Sequence, residues 1–270
     1  MRNQFTQSLC LSLLISCLFI LIVGCRKENI TILEDKPHVL LPPEGYKLFW
    51  SDEFNKESLD MSKWNYRYLG NRREGFNSKE AVSIDTALGA LVIETFHRND
   101  TVFTGMIGTM DKFETKYGYF EISIKMEDIF PNYWSAFWMQ SQKFGKTMVP
   151  EDDGMEIDVF EFIAGQPNRV DHYLHWNGYG VNHQQAYSIT ESRTPFNDGK
   201  FHQFALEWTP DYYRYFADGR MVWEYSNSVS QTDQYLILST EVKDRKYFKE
   251  VLGDRKGTKF IVDYVRVYKK

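Results

Sequence analysis

Three carboxylates stand within six residues, at Glu156, Asp158 and Glu161, inside the otherwise apolar segment Met155-Glu156-Ile157-Asp158-Val159-Phe160-Glu161-Phe162-Ile163. Paired carboxyl groups can divide the work of cleaving an acetal. One attacks carbon while the other, still protonated, gives its proton to the leaving oxygen. The backbone decides whether they can meet. On a helix, positions 158 and 161 would point about 200° and about 140° away from 156, and the group would be dispersed. On a strand, Glu156 and Asp158 share one face, and Glu161 points the opposite way unless one extra residue is inserted. A β-bulge between Asp158 and Glu161 supplies that residue. The two glutamate Cα atoms then lie roughly 13 Å apart, and side chains leaning together can approach the separation of about 5 Å used in retaining glycoside hydrolysis. Three carboxyl groups this close cannot all ionise freely near neutral pH, so at least one apparent pKa rises. On spacing alone, a calcium site or a solvated strand face are the alternatives. A solvated face leaves Met155, Ile157, Val159 and Phe162 unexplained, and an EF-hand loop needs Asp and Asn at alternate positions around a central Gly.

The elements that must position such a group are strands. Two-residue alternation recurs from Tyr46 onward, and no window of twelve or more residues carries a helical stripe. Strands are expected over 47–50, 81–84, 90–95, 118–126, 135–139, 155–162, 169–176, 201–208, 212–217, 221–225, 234–240 and 259–268. Asp218-Gly219 separates two aromatic-rich runs and suits a tight primed hairpin turn. Many short strands at this spacing point to an all-β sandwich or barrel.

The N-terminus reads as an address. Arg2 precedes the apolar run Leu9 to Val23, about the length of a signal-peptide core, and the run ends in Ile22-Val23-Gly24-Cys25, which resembles a bacterial lipobox. The expected organisation is a signal peptide over 1–24, a lipidated Cys25 with a tether over 25–43, and one domain over 44–270. The protein is thus expected to be exported and lipid-anchored at a bacterial membrane. Cys10 and Cys17 fall inside the apolar run, so the mature chain keeps no disulfide. A net charge of −5 argues against nucleic acid. The 17 Tyr and 7 Trp suit both a large β core and a groove lined by rings.

The signature Glu156-Ile157-Asp158-Val159-Phe160-Glu161 resembles that of glycoside hydrolase family 16, the laminarinase, lichenase and agarase group, in its bulged form. Further stretches resemble the family in its order along the chain: WSDEFNKESLDMSKWN, KYGYFEISIKM, YWSAFWMQ, HYLHWNGYG, FALEWTPDYYRYFADGRMVW and VDYVRVY. The resemblance implies a β-jelly-roll of two stacked antiparallel sheets, concanavalin A-like, with a polysaccharide cleft across the concave one. It implies Glu156 as nucleophile, Glu161 as general acid and base, and Asp158 as the group that tunes them, with no cofactor for the chemistry. His175 matches the histidine of the family's His-Trp pair. Trp134 and Trp138 fall on the same side of a strand, where at least one should line the cleft and stack on sugar. Asp263 is expected on a buried face with Ile261, Val265 and Val267, where the resemblance implies a structural Ca2+ held with backbone carbonyls near the first strands and Gly89.

The substrate implied is β-1,3- or mixed-linkage glucan, cleaved internally by a monomer. An endo-β-galactosidase on agar-like or mucin-type chains is the second enzyme of the group that fits, and a non-catalytic glycan-binding lipoprotein is the competitor from another class. Two segments depart from a minimal glucanase. GNRREGFNSKEAV carries Arg72 and Arg73 in a cleft with few other basic anchors, and the loop KFGKTMVPEDDGMEID is long and acidic enough to shape one end of the groove.

Overall fold

The computed structural model describes residues 29–33, 41–163, 165–253 and 257–270. The alternation resolves into two stacked sheets, neither of them closed. One runs, in spatial order, through the strands Ile30–Leu33, Gln184–Ser192, Arg169–Trp176, Glu156–Phe162, Tyr133–Gln140, Gln234–Val242, Met106–Gly108 and Asn65–Tyr66. The other has Gly118–Met126 and Gly257–Lys269 at its centre. Both sheets are antiparallel except where Ile30–Leu33 joins Gln184–Ser192 and Gly75–Asn77 joins Thr101–Thr104 in parallel. The jelly-roll expectation holds.

The core lies between the sheets and is rich in rings. Phe160 from the first sheet meets Phe204 and Phe260 of the second, with centroids 4.8 Å and 6.0 Å away. The stretch WSDEFNKESLDMSKWN closes on itself: buried Asp52 accepts from the indole Nε1 of Trp64 at 2.8 Å and from the backbone N of Phe54 at 3.1 Å. That satisfies a carboxylate which would otherwise be costly to bury.

Two expectations need correction. The tether carries structure: Ile30–Leu33 pairs along the edge of the cleft sheet, and Leu33 is buried in the core. The apolar run and Cys25 lie outside the described residues. Asp263 also sits differently. The long last strand slips register against Gly118–Met126, with Ser123 paired to Tyr264 and Ile124 to Val262, so Asp263 falls on a bulge. The slip resets the alternation. Val265 and Val267 face the core, whereas Ile261 packs outside it with Ala90 and Val92, and Asp263 is half-buried.

Among the described residues, two α-helices escaped the strand pattern. Arg245–Leu252 is capped by Asp244, whose carboxylate accepts from the backbone N of Tyr247 at 2.9 Å. It buries Phe248 and Leu252, and at eight residues it is too short for a periodic stripe to declare itself. Pro150–Asp153 is a single turn in the acidic loop before the signature.

Candidate active site

The signature strand shows how one inserted residue re-aims a side chain. Its neighbours keep regular pairing up to Asp158, which lies opposite Trp138 on one side and Tyr173 on the other. The register then shifts, and Glu161 pairs with Ala136 and Asp171. Val159 and Phe160 both turn into the core beside Ile157 and Phe162. Glu156, Asp158 and Glu161 all line the opposite face, in a cleft of about 710 Å³.

A buried histidine fixes that bulge. His172 Nδ1 donates to the carbonyl oxygen of Val159 at 2.6 Å, and Nε2 accepts from the Thr190 hydroxyl at 2.9 Å. Burial lowers its pKa to about 4, only partly opposed by the Val159 carbonyl, so the ring is neutral near pH 7. Its structural work is to hold the signature strand's irregular turn. His172→Ala leaves the Val159 carbonyl unpaired in a cavity, and the expected loss is about 3 kcal/mol of stability. Urea unfolding measures it, and an unchanged midpoint would remove this role. The unfolded chain takes up a proton below about pH 6.5, whereas the folded one takes it only near pH 4. The contribution is therefore fully present above about 6.5 and is lost as pH falls toward 4.

The three carboxyl groups differ in their surroundings. Glu156 accepts at Oε2 from Gln140 Nε2 at 2.7 Å and at Oε1 from the Tyr179 hydroxyl. Burial pushes its pKa up to about 7, held back by the Tyr179 hydrogen bond and by the charge of Arg72. Glu161 has weaker opposition. Burial, then the charges of Glu156, Asp171 and Glu241, push it up to about 8, with Arg73 alone pulling down among the leading causes. Asp158 is driven well above the usual range by burial and then by both glutamates, and its Oδ2 has no hydrogen-bond partner. The environments thus rank Glu156 as the group most readily ionised and keep protons on its neighbours.

His175 stands in register with Glu156 and places Nε2 3.6 Å from Asp158 Oδ2. Its ring stacks on Tyr173 at 5.3 Å, and its Nδ1 lies 3.0 Å from His183 Nε2. Burial, then His183, lowers its pKa to about 4, so it is a neutral group behind Asp158. Glu156, Asp158 and His175 offer ligand atoms within 4.8 Å of one another; both Glu156 oxygens already accept from Gln140 and Tyr179, and His175 Nδ1 lies against His183.

Both tryptophans line the cleft. Each is 7% exposed, however, and the ring of Trp134 lies under Arg73 and Lys243, with cations 4.6 Å and 4.9 Å from its centroid. Trp138 donates Nε1 to Ser239 Oγ at 3.0 Å. Sequence reasoning missed Gln140, Tyr179 and Arg67 on the cleft wall. Gln140 shares the even-numbered face of Trp134 and Trp138 and was legible by alternation. The acidic loop does shape one end. Phe144 meets Tyr179 edge-on at 5.4 Å, and the loops touch where a Cβ on Gly145 (φ +75) would lie 2.7 Å from the Cα of Gly178.

A model of the glycosyl hydrolases family 16 matches residues 72–245. The chain is 27% identical to a beta-glucanase of Rhodothermus marinus, over 92% of this chain and 91% of the relative. It is 26% identical to a keratan-sulfate endo-1,4-beta-galactosidase of Sphingobacterium multivorum over 83% of this chain, and spans 55% of that longer protein. The catalytic domain of an endo-1,3-beta-glucanase (laminarinase) from Thermotoga petrophila superposes with a TM-score of 0.68 at 25% identity, covering 84% of this chain and 99% of that one.

Proposed function

The chain belongs to glycosyl hydrolases family 16, and from that premise we propose that it is a retaining endo-glycosidase of β-1,3- or mixed-linkage β-1,3-1,4-glucan. The observation that carries the mechanism is the bulge that brings Glu161 onto the face of Glu156 and Asp158. Glu156, its carboxylate steered by Gln140 and Tyr179, attacks the anomeric carbon. Glu161 passes its proton to the glycosidic oxygen as the C–O bond breaks, leaving a glycosyl ester on Glu156. Glu161, now a carboxylate, takes a proton from water, the water oxygen attacks the anomeric carbon, and Glu156 is released with the configuration retained. Asp158, driven toward its protonated form by burial and then by Glu161 and Glu156, keeps a second negative charge off the cleft floor. His175 stands behind it, Nε2 3.6 Å from Asp158 Oδ2.

The glucan backbone is supported by the beta-glucanase and the laminarinase to which the chain is similar. The competing backbone is galactan, supported by the more partial likeness to the keratan-sulfate enzyme. Incubation with laminarin, barley glucan, agarose and mucin O-glycans, followed by product analysis, separates them. Short gluco-oligosaccharides are expected, and release of only galactose-terminated products would overturn the glucan assignment.

Two further proposals concern the frame. Asp263 makes no ion pair or hydrogen bond among the described residues, and it lies one residue beyond the Val262–Leu91 pair and two before the Val265–Asp52 pair. A half-buried carboxylate with no protein partner suits a hard cation such as Ca2+, which Asp263 would hold with backbone carbonyls of the neighbouring strands. Chelation should lower Tm by several degrees, as a loss of about 1 kcal/mol does in a domain of this size; an unchanged Tm would exclude it. Export with a lipid on Cys25 rests on the apolar run and the Ile22-Val23-Gly24-Cys25 stretch. Palmitate labelling that survives in Cys25→Ser would refute it.

A further inference from the structure

The end of the cleft toward the sheet edge Asn65–Tyr66 is walled by cations laid on aromatic rings. The guanidinium of Arg67 lies 4.7 Å from the ring centroid of Tyr235, 4.6 Å from that of Tyr68 and 5.9 Å from that of Trp138. Arg72 shares the Tyr68 ring at 5.1 Å. Arg73 and Lys243 cover Trp134 at 4.6 Å and 4.9 Å. One carboxylate serves two of these four cations. Glu241 accepts from Arg72 at 3.0 Å and 2.8 Å through Oε1, and from Arg73 Nε through Oε2.

A fastening role accounts for part of this. The Arg72 and Arg73 bonds to Glu241 pin the segment after Asn65–Tyr66 onto the strand Gln234–Val242. They leave Arg67 and Lys243 without a carboxylate partner among the described residues. Arg67 is the sharper case. It is 5% exposed, its Nε and Nη1 have no hydrogen-bond partner, and it lines the cleft. With those two nitrogens enclosed by rings, Nη2 is the edge left to face the cleft. Ring contacts recover less than is lost when a guanidinium leaves water. A charge held this way is poised for a partner that arrives with the ligand. Neutral sugars would instead call for open ring faces, and here the face of Trp134 is capped by cations.

We propose that this end of the cleft binds an anionic substituent, a sulfate ester or a carboxylate, on a sugar unit of the polysaccharide, with Arg67, Arg73 and Lys243 as its charge partners. The location rests on the glycosidase interpretation of the cleft, but not on a glucan backbone. Arg73 uses only Nε toward Glu241, so its remaining guanidinium donors are available to an oxyanion. Such a ligand brings to the buried guanidinium the charge that the protein itself does not supply.

Binding to the Glu156→Gln variant tests this without depending on turnover. Affinities are measured by calorimetry for laminarin oligosaccharides and agarose oligosaccharides, each in neutral, sparsely sulfated and C6-oxidised form. On the backbone that binds better, at least one charged form should bind about tenfold more tightly than its neutral parent at low ionic strength, with the advantage shrinking as salt is added. The better of the sulfated and oxidised forms identifies the source of the anion. Lys243→Gln and Arg67→Met should each cut the charged-to-neutral ratio at least about threefold, while Lys246→Gln, on the exposed helix, should not. Lys243 is on the surface, so its variant remains informative if Arg67→Met fails to fold. Charged forms that bind no better than neutral ones, or a ratio indifferent to Lys243→Gln, would overturn the proposal. Turnover of the unaltered enzyme on the neutral forms tests the glucan assignment separately.

Discussion

Glu156→Gln should lower kcat by about 10⁵-fold, because the variant retains the shape of the cleft but has no carboxylate to form the glycosyl ester. The amide is isosteric, and it can still meet Gln140 and Tyr179, so binding of oligosaccharide should change little. The pairing of these two readouts is what makes the test specific. A substitution that merely disturbed the strand would weaken binding along with turnover. Residual hydrolysis within a hundredfold of the unaltered enzyme would take Glu156 out of its role and leave the cleft without a nucleophile, since Asp158 is strongly biased toward its protonated form.

The second large effect is expected at Glu161. Glu161→Ala should reduce hydrolysis of unactivated polysaccharide by about 10³-fold, the usual range for loss of a positioned proton donor. On an aryl glycoside, whose leaving group needs no protonation, the glycosyl ester should still form and accumulate. Added azide, which needs no general base, should then attack the anomeric carbon and displace Glu156, giving a β-glycosyl azide of retained configuration. An α-azide would refute double displacement. The pH profile gives an independent check. Turnover needs Glu156 ionised and Glu161 protonated, groups pushed to about 7 and about 8 respectively. The rate should fall on the acid side as Glu156 takes a proton and on the alkaline side as Glu161 loses one. Glu161→Ala should abolish the alkaline limb on the aryl substrate.

These expectations rest on a bulge that was legible in the chain because charge and apolarity alternate so cleanly there. Glu161 at an odd offset could be reconciled with Glu156 and Asp158 only by one inserted residue, and the register shift falls between Asp158 and Glu161. The bulge at Asp263 carried no such mark. Valine, isoleucine and tyrosine suit either face of that strand, so a slip in register leaves the apolar pattern unbroken, and simple alternation placed Ile261 on the wrong side. The polar strand Gln184–Ser192 was passed over because its burial comes from neighbours distant in sequence. Arg67 was hidden for a related reason. In Tyr66-Arg67-Tyr68 an arginine between tyrosines reads as an ordinary polar position, and only the meeting of three separate elements encloses it.

The strand Ile30–Leu33 has a practical consequence for anyone who shortens this protein. Its backbone caps Gln184–Ser192, Thr31 Oγ1 donates to the carbonyl of Val222 at 2.8 Å, and Leu33 plugs the core. A chain begun at residue 44, where the sequence invites the cut, would leave the cleft sheet with a raw border of unpaired amides and carbonyls and a gap where leucine had been. Such borders recruit one another. The trimmed molecule should precipitate on concentration while its cleft carboxylates remain intact, and loss of yield would be mistaken for loss of fold.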